Sequence, residues 1–162
     1  MKYAALTTAY RAEQARQAQT IAAVVITTGE VVYGEVQKRL RGPALRYRSG
    51  NLARSVSRTF KATRYKTVVV VEAGSAAVPY AAIHETGGVI QGRPWLRIPL
   101  TQEGKVGRPG DYIAKGGAIK RGEAVVAVLR RSVRMPKRPY LKPSAEAGWR
   151  YFQAELPRRL GA

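Results

Sequence analysis

AVVAVLRRSVRMPKRPYLKPSAEAGWRYFQAELPRRL, residues 124–160, decides the fold class because its period changes midway. Up to Met135 it reads as a strand, with Val126, Val128 and Val133 separated by Arg130 and Arg131. Pro143 then opens a helix running to about Leu160, with Trp149, Phe152 and Leu156 on one face.

Upstream, Thr8–Arg41 reads as a long helix. Its first half is rich in Ala, Gln, Arg and Glu, and Ala18, Ile21, Ala22, Val25, Val32, Val36 and Leu40 form one stripe. The β-branched Val24–Ile26 and Val31–Val32, with Gly29 among them, leave a kink or a strand open there, and Gly42-Pro43 ends the segment. A short helix follows, capped by Ser49 or Asn51, with Leu52 and Val56 facing inward. Ser57–Arg64 and Thr67–Ala73 read as strands joined at Arg64-Tyr65-Lys66, the run Val68–Val71 being fit for a sheet centre. Val78–Glu85 is a short helix opened by Pro79 and closed by Gly87-Gly88. Val89–Arg93 and Trp95–Leu100 are expected as short strands around a turn, and Gly/Pro-rich 101–123 as a long exposed loop. The expected architecture is α+β. A long N-terminal helix accompanies one mainly antiparallel sheet, on which a short helix and a C-terminal helix pack.

At 162 residues the chain is expected to be a single domain, 1–162, able to bury a core without staples. Its charge is unusual. Lys and Arg number 29 against 10 Asp and Glu, a net charge of +19 that calls for an anionic partner. The charge is spread along the chain, which disfavours a basic disordered arm. No segment approaches the roughly 20 apolar residues of a membrane span. The expected compartment is the cytoplasm or a particle assembled there.

The absence of Cys rules out disulfides, thiol nucleophiles and thiolate metal sites, and a single His argues against a His-based metal centre. His84-Glu85 lacks the H-E-x-x-H spacing, so a structural or interface role is favoured for His84. Asp111 is the only Asp, which leaves little for a nuclease carboxylate cluster. Gly104–Gly117 contains no phosphate-loop motif, and the nine tyrosines are scattered rather than clustered for RNA stacking. No catalytic residue, cofactor, metal site or small-molecule substrate is expected. Arg130-Arg131 and Arg158-Arg159 fit either phosphate contact or a solvated face.

Three short motifs carry a resemblance. Ser49-Gly50-Asn51-Leu52 followed by Arg54-Ser55-Val56 resembles a "tG-x-L-x-x-S-hydrophobic" stretch. Pro79-Tyr80-Ala81-Ala82-Ile83-His84-Glu85-Thr86-Gly87-Gly88 is similar to "YA-x-hydrophobic-H/E-x-x-G". Met135–Ser144, with Arg138-Pro139-Tyr140 at its centre, resembles "P-x-R-P-aromatic-hydrophobic" before a C-terminal helix. In this order the three resemble the tail-completion proteins of tailed bacteriophages, also called neck, head–tail joining or virion-morphogenesis proteins. Arg93-Pro94-Trp95 is an early near-copy of the third motif, but Arg138-Pro139-Tyr140 fits better because a helix follows.

The resemblance implies a structural virion protein without enzymatic activity, forming a ring, normally sixfold, at the head-proximal end of the tail. Its implied partners are other copies of itself, a head connector or stopper, tail terminator or tail tube proteins, and genomic DNA in the lumen. Arg130, Arg131, Lys137 and Arg138 are the expected partner or DNA contacts. Gly50, Leu52, Tyr80, Ala81, Gly87, Gly88, Arg138, Pro139 and Tyr140 are the expected structural residues of the motifs. The alternatives are a tail terminator or other connector-adjacent ring protein, and a stand-alone, sequence-independent nucleic-acid-binding protein.

Overall fold

The computed structural model describes residues 2–42, 50–63, 66–102, 105, 113–115 and 117–161. The elements run α1 (Lys2–Arg41), α2 (Asn51–Arg54), β1 (Ser57–Ala62), β2 (Thr67–Glu72), α3 (Ala81–Thr86), β3 (Gly88–Pro99), β4 (Ile113–Lys115), β5 (Ala118–Arg121), β6 (Ala124–Met135) and α4 (Leu141–Leu160). The class is α+β, as expected. In place of one sheet there are two, both antiparallel: a β1–β2 pair and a four-stranded sheet in the order β3-β6-β5-β4. The chain divides into two compact units, Met1–Thr86 with Arg138–Ala162, and Gly87–Lys137.

In the first unit, α1 is one continuous helix about 60 Å long at 1.5 Å per residue. Neither the β-branched run nor Gly29 breaks it. Val24 is buried, and a Cβ on Gly29 would overlap the side chain of Val69, so the glycine is the seat of β2 on the helix. A second close approach lies at Gly148 of α4, where a Cβ would overlap Val32 of α1. The core comprises Val36, Leu40, Ala53, Val56 and Tyr140, with Val32, Leu52, Val71 and Leu141 packed around it. Val68, Val69 and Val71 are therefore half-buried and Val70 is exposed, in a two-stranded pair rather than at a sheet centre, and β1 is exposed along its whole length.

Several boundaries differ from expectation. The short helix α3 opens at Ala81, after a turn that holds Pro79 and Tyr80. Asn51 lies inside α2, and the cap position is Gly50, in the left-handed region at φ 70°. The expected cap Ser49, the residues Pro43, Arg64 and Tyr65, and most of 103–112 with Asp111 lie outside the described residues.

In the second unit, β6 has the expected bounds, because polar turns and Pro136 delimit its alternating pattern. The two strands expected before it are one strand, β3, since the turn signal Gly92-Arg93-Pro94 is absorbed as an irregularity between Gln91 and Leu96. Part of the expected 101–123 loop is also strand. β4 and β5 pair there and extend the sheet, and Ile119 of β5 joins Val126 and Ala127 in a small core. Among the described residues no helix is long and apolar enough to cross a membrane.

Candidate functional site

The first feature is a knot at the start of α4. A helix leaves four N-terminal N–H groups without internal partners, and a capping side chain normally takes one. Here Tyr140 stands at the cap position and its side chain caps nothing. Glu85 of α3 supplies the acceptors instead. Its Oε2 accepts from the backbone N–H of Tyr140 at 2.7 Å and of Leu141 at 2.9 Å, and its Oε1 from that of Lys142 at 2.9 Å. The fourth position is Pro143, which has no N–H. Every donor of the first turn is thus satisfied or absent. Pro143 stands at the third helical position and does not open α4, which starts at Leu141.

Tyr140 locks the other side of the knot. It is 1% exposed, and its hydroxyl donates to the carbonyl of Ala81 at 3.2 Å. Burial, and next the Glu85 carboxylate, push its phenol up to about 12. Arg138 donates its backbone N–H to the carbonyl of His84 at 2.8 Å, while its side chain is exposed. Tyr140 also packs in the core with Ala53 and Val56 of the first motif, against which Leu52 lies. All three motifs therefore meet around one aromatic ring. Gly50 is buried, Ala81 is buried, and Pro139 is exposed.

His84 is half-buried, its ring edge-on to Tyr80 with centroids 5.8 Å apart, and its Nδ1 has no hydrogen-bond partner among the described residues. Burial, then the positive charge of Arg138, lower its pKa below the usual imidazole value. Gly87 follows α3 with φ 71°, where a Cβ would stand 3.0 Å from the backbone nitrogen of Lys137. Gly88 is the exposed first residue of β3.

The second feature is the basic ribbon of the Gly87–Lys137 unit. Those 51 residues carry eleven Lys or Arg against three carboxylates, a net charge of +8. The expected Arg130-Arg131 pair is split, because adjacent residues of a strand point to opposite faces. Arg130 shares a face with Ser132 and Arg134, and all three are exposed. Arg131 lies on the other face, its guanidinium 5.1 Å from the centroid of Trp95, a ring 48% exposed. Lys137 is exposed at the end of this unit, whereas Arg138 belongs to the other unit. Arg130, Arg131 and Arg134 form no salt bridge with a described residue.

The third feature was not expected. Trp149 is 58% exposed, not buried, and stacks on Phe152 with centroids 5.4 Å apart and planes 15° from parallel. The two rings form one wall of an open apolar groove of about 710 Å3. The rest of the lining includes Val25, Gly29 and Val32 of α1, Val69 of β2, and the charged Glu85 and Lys142. The helical spacing of Trp149 and Phe152 is visible in the sequence, but nothing in it marks the face as uncovered.

Among the described residues no group of three or more His, Asp or Glu could hold a metal ion. Comparison with family models, with curated proteins and with solved structures finds no match.

Proposed function

We propose that the chain is a structural virion protein, a component of the tail-completion or head–tail joining ring at the head-proximal end of a phage tail, through which DNA passes. The observation that carries the reading is the knot around Tyr140. Three motifs scattered over about 95 residues, from Ser49 to Ser144, converge there as parts of one scaffold. Motifs that meet by chance have no reason to share a core residue, a capping carboxylate and a backbone hydrogen bond. The work of such a subunit is shape and charge complementarity between stacked rings, with acidic partner surfaces or DNA offsetting the positive charge.

Deleting the gene from the parent phage tests this. DNA-filled heads and separate tails in the same lysate are the expected outcome, and normal infectious particles would overturn the reading. A second reading, a sequence-independent nucleic-acid-binding protein, is favoured by the free arginines of β6 and the stacked Arg131–Trp95 pair. It requires tight duplex binding by the isolated chain at physiological salt.

A further inference from the structure

We propose that the two-stranded arm of β3 and β6 beyond the end of β5 is the surface through which this chain meets duplex DNA, with Arg130, Ser132 and Arg134 of β6 and Gln91 of β3 laid against the phosphate backbone. The proposal deepens the joining-ring reading and rests on it only for placing that contact in a lumen.

The four-stranded sheet narrows along β6. β5 pairs with β6 from Ala124 to Val128. From Arg130 onward β6 pairs with β3 alone, Arg130 opposite Leu96 and Ser132 to Met135 opposite Gln91 to Gly88. Residues directly opposite share a face, and neighbours along a strand alternate between faces. Arg130, Ser132 and Arg134 therefore share one face with Val89 and Gln91, and all five are exposed. Ile90, Val133 and Met135 of the opposite face are half-buried. Burial thus marks the arginine face as the outer one.

Positive charge is concentrated in this arm. Residues 88–97 and 130–137 hold six Lys or Arg and no carboxylate, so they supply six of the eight net charges of the Gly87–Lys137 unit. A surface whose task is solubility alone mixes both signs. Here like charges repel in a two-stranded arm, a structure of marginal stability by itself. The guanidinium groups of Arg130 and Arg134 pair with no described residue. Glu123, the one carboxylate of the unit among the described residues, precedes Ala124, which lies about 20 Å from Arg130 along β6. That is far outside the roughly 8 Å over which exposed charges act at physiological salt. The anions that balance this face have to come from a partner.

Spacing and side-chain type favour a duplex. Arg130 and Arg134 are separated by about 14 Å at the rise of an antiparallel strand. The major groove of a duplex is about 12 Å wide, so the two side chains reach the phosphate rows on its two sides. Ser132 and Gln91, opposite each other between them, add a hydroxyl and an amide donor of the kinds that position proteins on a sugar–phosphate backbone. Single-strand binders stack bases on aromatic rings. None of the described residues of this face is aromatic; the exposed Trp95 lies with Arg131, on the opposite face.

Anisotropy of a labelled duplex of about 20 base pairs, titrated with the full chain between roughly 20 and 200 mM NaCl, tests this. Arg130→Ser with Arg134→Ser is compared with Arg150→Ser with Arg158→Ser, exposed positions of α4 that remove the same charge. The β6 pair should flatten the slope of log affinity against log salt by about 1–2 and weaken low-salt binding at least about tenfold, and the α4 pair should leave both near wild type. Gln91→Glu, an exchange of nearly equal size at an exposed position, should weaken binding severalfold. A melting curve for each variant checks that it is folded. A wild type that does not bind the duplex at low salt, a β6 pair that keeps the wild-type slope, equal losses in the two pairs, or tighter binding to a single strand of the same length would each overturn the proposal. So would a phage carrying the β6 pair that fails to join heads to tails while the variant binds DNA as wild type does, which would assign the face to an acidic protein. Each of these leaves the joining-ring reading standing, since that reading is decided by the lysate of the gene deletion.

Discussion

Replacing Glu85 should unfasten α4, and the size of the effect follows from what the carboxylate holds. Three backbone N–H groups of the first turn donate to it, at 2.7 to 2.9 Å, and Pro143 leaves no fourth. A single neutral cap contributes about 0.5–2 kcal/mol. A negative charge in a partly buried position at a helix N-terminus adds up to about 2 kcal/mol. Water can replace the acceptor at exposed Lys142 but not at buried Tyr140, so the three bonds do not simply add. We expect Glu85→Ala to cost about 2–4 kcal/mol, which lowers the melting temperature by roughly 5–15 °C for a chain of this size. Glu85→Gln keeps one acceptor and loses the charge, and should cost about half as much. Exposed Glu146→Gln is the control, expected within about 0.5 kcal/mol of wild type. Urea unfolding supplies the free energies, and amide exchange at Tyr140, Leu141 and Lys142 reports the cap directly. Glu85→Ala within about 0.5 kcal/mol of wild type, with those amides still protected, would refute the account.

Gly87→Ala should cost about 2 kcal/mol in urea unfolding, since it adds left-handed strain and crowds Lys137, whereas Gly122→Ala, at φ 61° with open space around it, should cost only about 1. Tyr140 holds its proton more tightly folded than unfolded. Its contribution is therefore full below pH 10 and is lost as pH rises toward 12, by about 2–3 kcal/mol; Tyr140→Phe should abolish that alkaline slope and cost about 1 kcal/mol at neutral pH. Trp149→Ala should cost the isolated subunit about 1 kcal/mol or less by melting, against the roughly 3–5 kcal/mol of a buried tryptophan. Arg130→Ser with Arg134→Ser should flatten the slope of log affinity for duplex DNA against log salt by about 1–2, and Arg131→Ser by less than half of that; equal effects would refute a one-sided contact face.

What the sequence made legible follows the range of the forces involved. The bounds of β6 and the extent of α4 are local matters of period and breakers, and reading them needs no partner. β3 looked like two strands because Gly92-Arg93-Pro94 is locally a turn signal, and pairing with β6 on both sides of it overrides that signal. β4 and β5 were hidden in a Gly-rich stretch whose composition says loop, although Ile119 has a core to enter. The Glu85 cap joins residues 55 to 57 apart, and no periodicity reports a bond of that span. One sign of it was present: Tyr140-Leu141-Lys142-Pro143 opens a helix without Ser, Thr, Asp or Asn at its cap, so the acceptor had to come from elsewhere. Trp149 shows the opposite limit. Its helical spacing marks an apolar face but cannot say whether this chain or another covers it.

In the proposed joining ring a subunit must both assemble and let DNA slide, and the distribution of charge bears on both. A ring of +19 copies repels itself most where unpaired charges come within a Debye length, about 8 Å at physiological salt. In the unit Met1–Thr86 with Arg138–Ala162, the Trp149 groove is lined mostly by apolar side chains, with Lys142 as its cation. The densest positive charge belongs to the other unit. There, too, alternation along β6 divides the arginines between two faces. Arg131 already spends part of its charge on Trp95, while Arg130 and Arg134 stand free on the opposite side. One face at a time can meet phosphate, so each copy offers two of these β6 arginines to a passing duplex at most. Each phosphate neutralised multiplies affinity and its dependence on salt. In the proposed ring, presenting at most two of the three β6 arginines on a DNA-facing side would hold the genome in register without gripping it, and would leave the other face for an acidic protein neighbour.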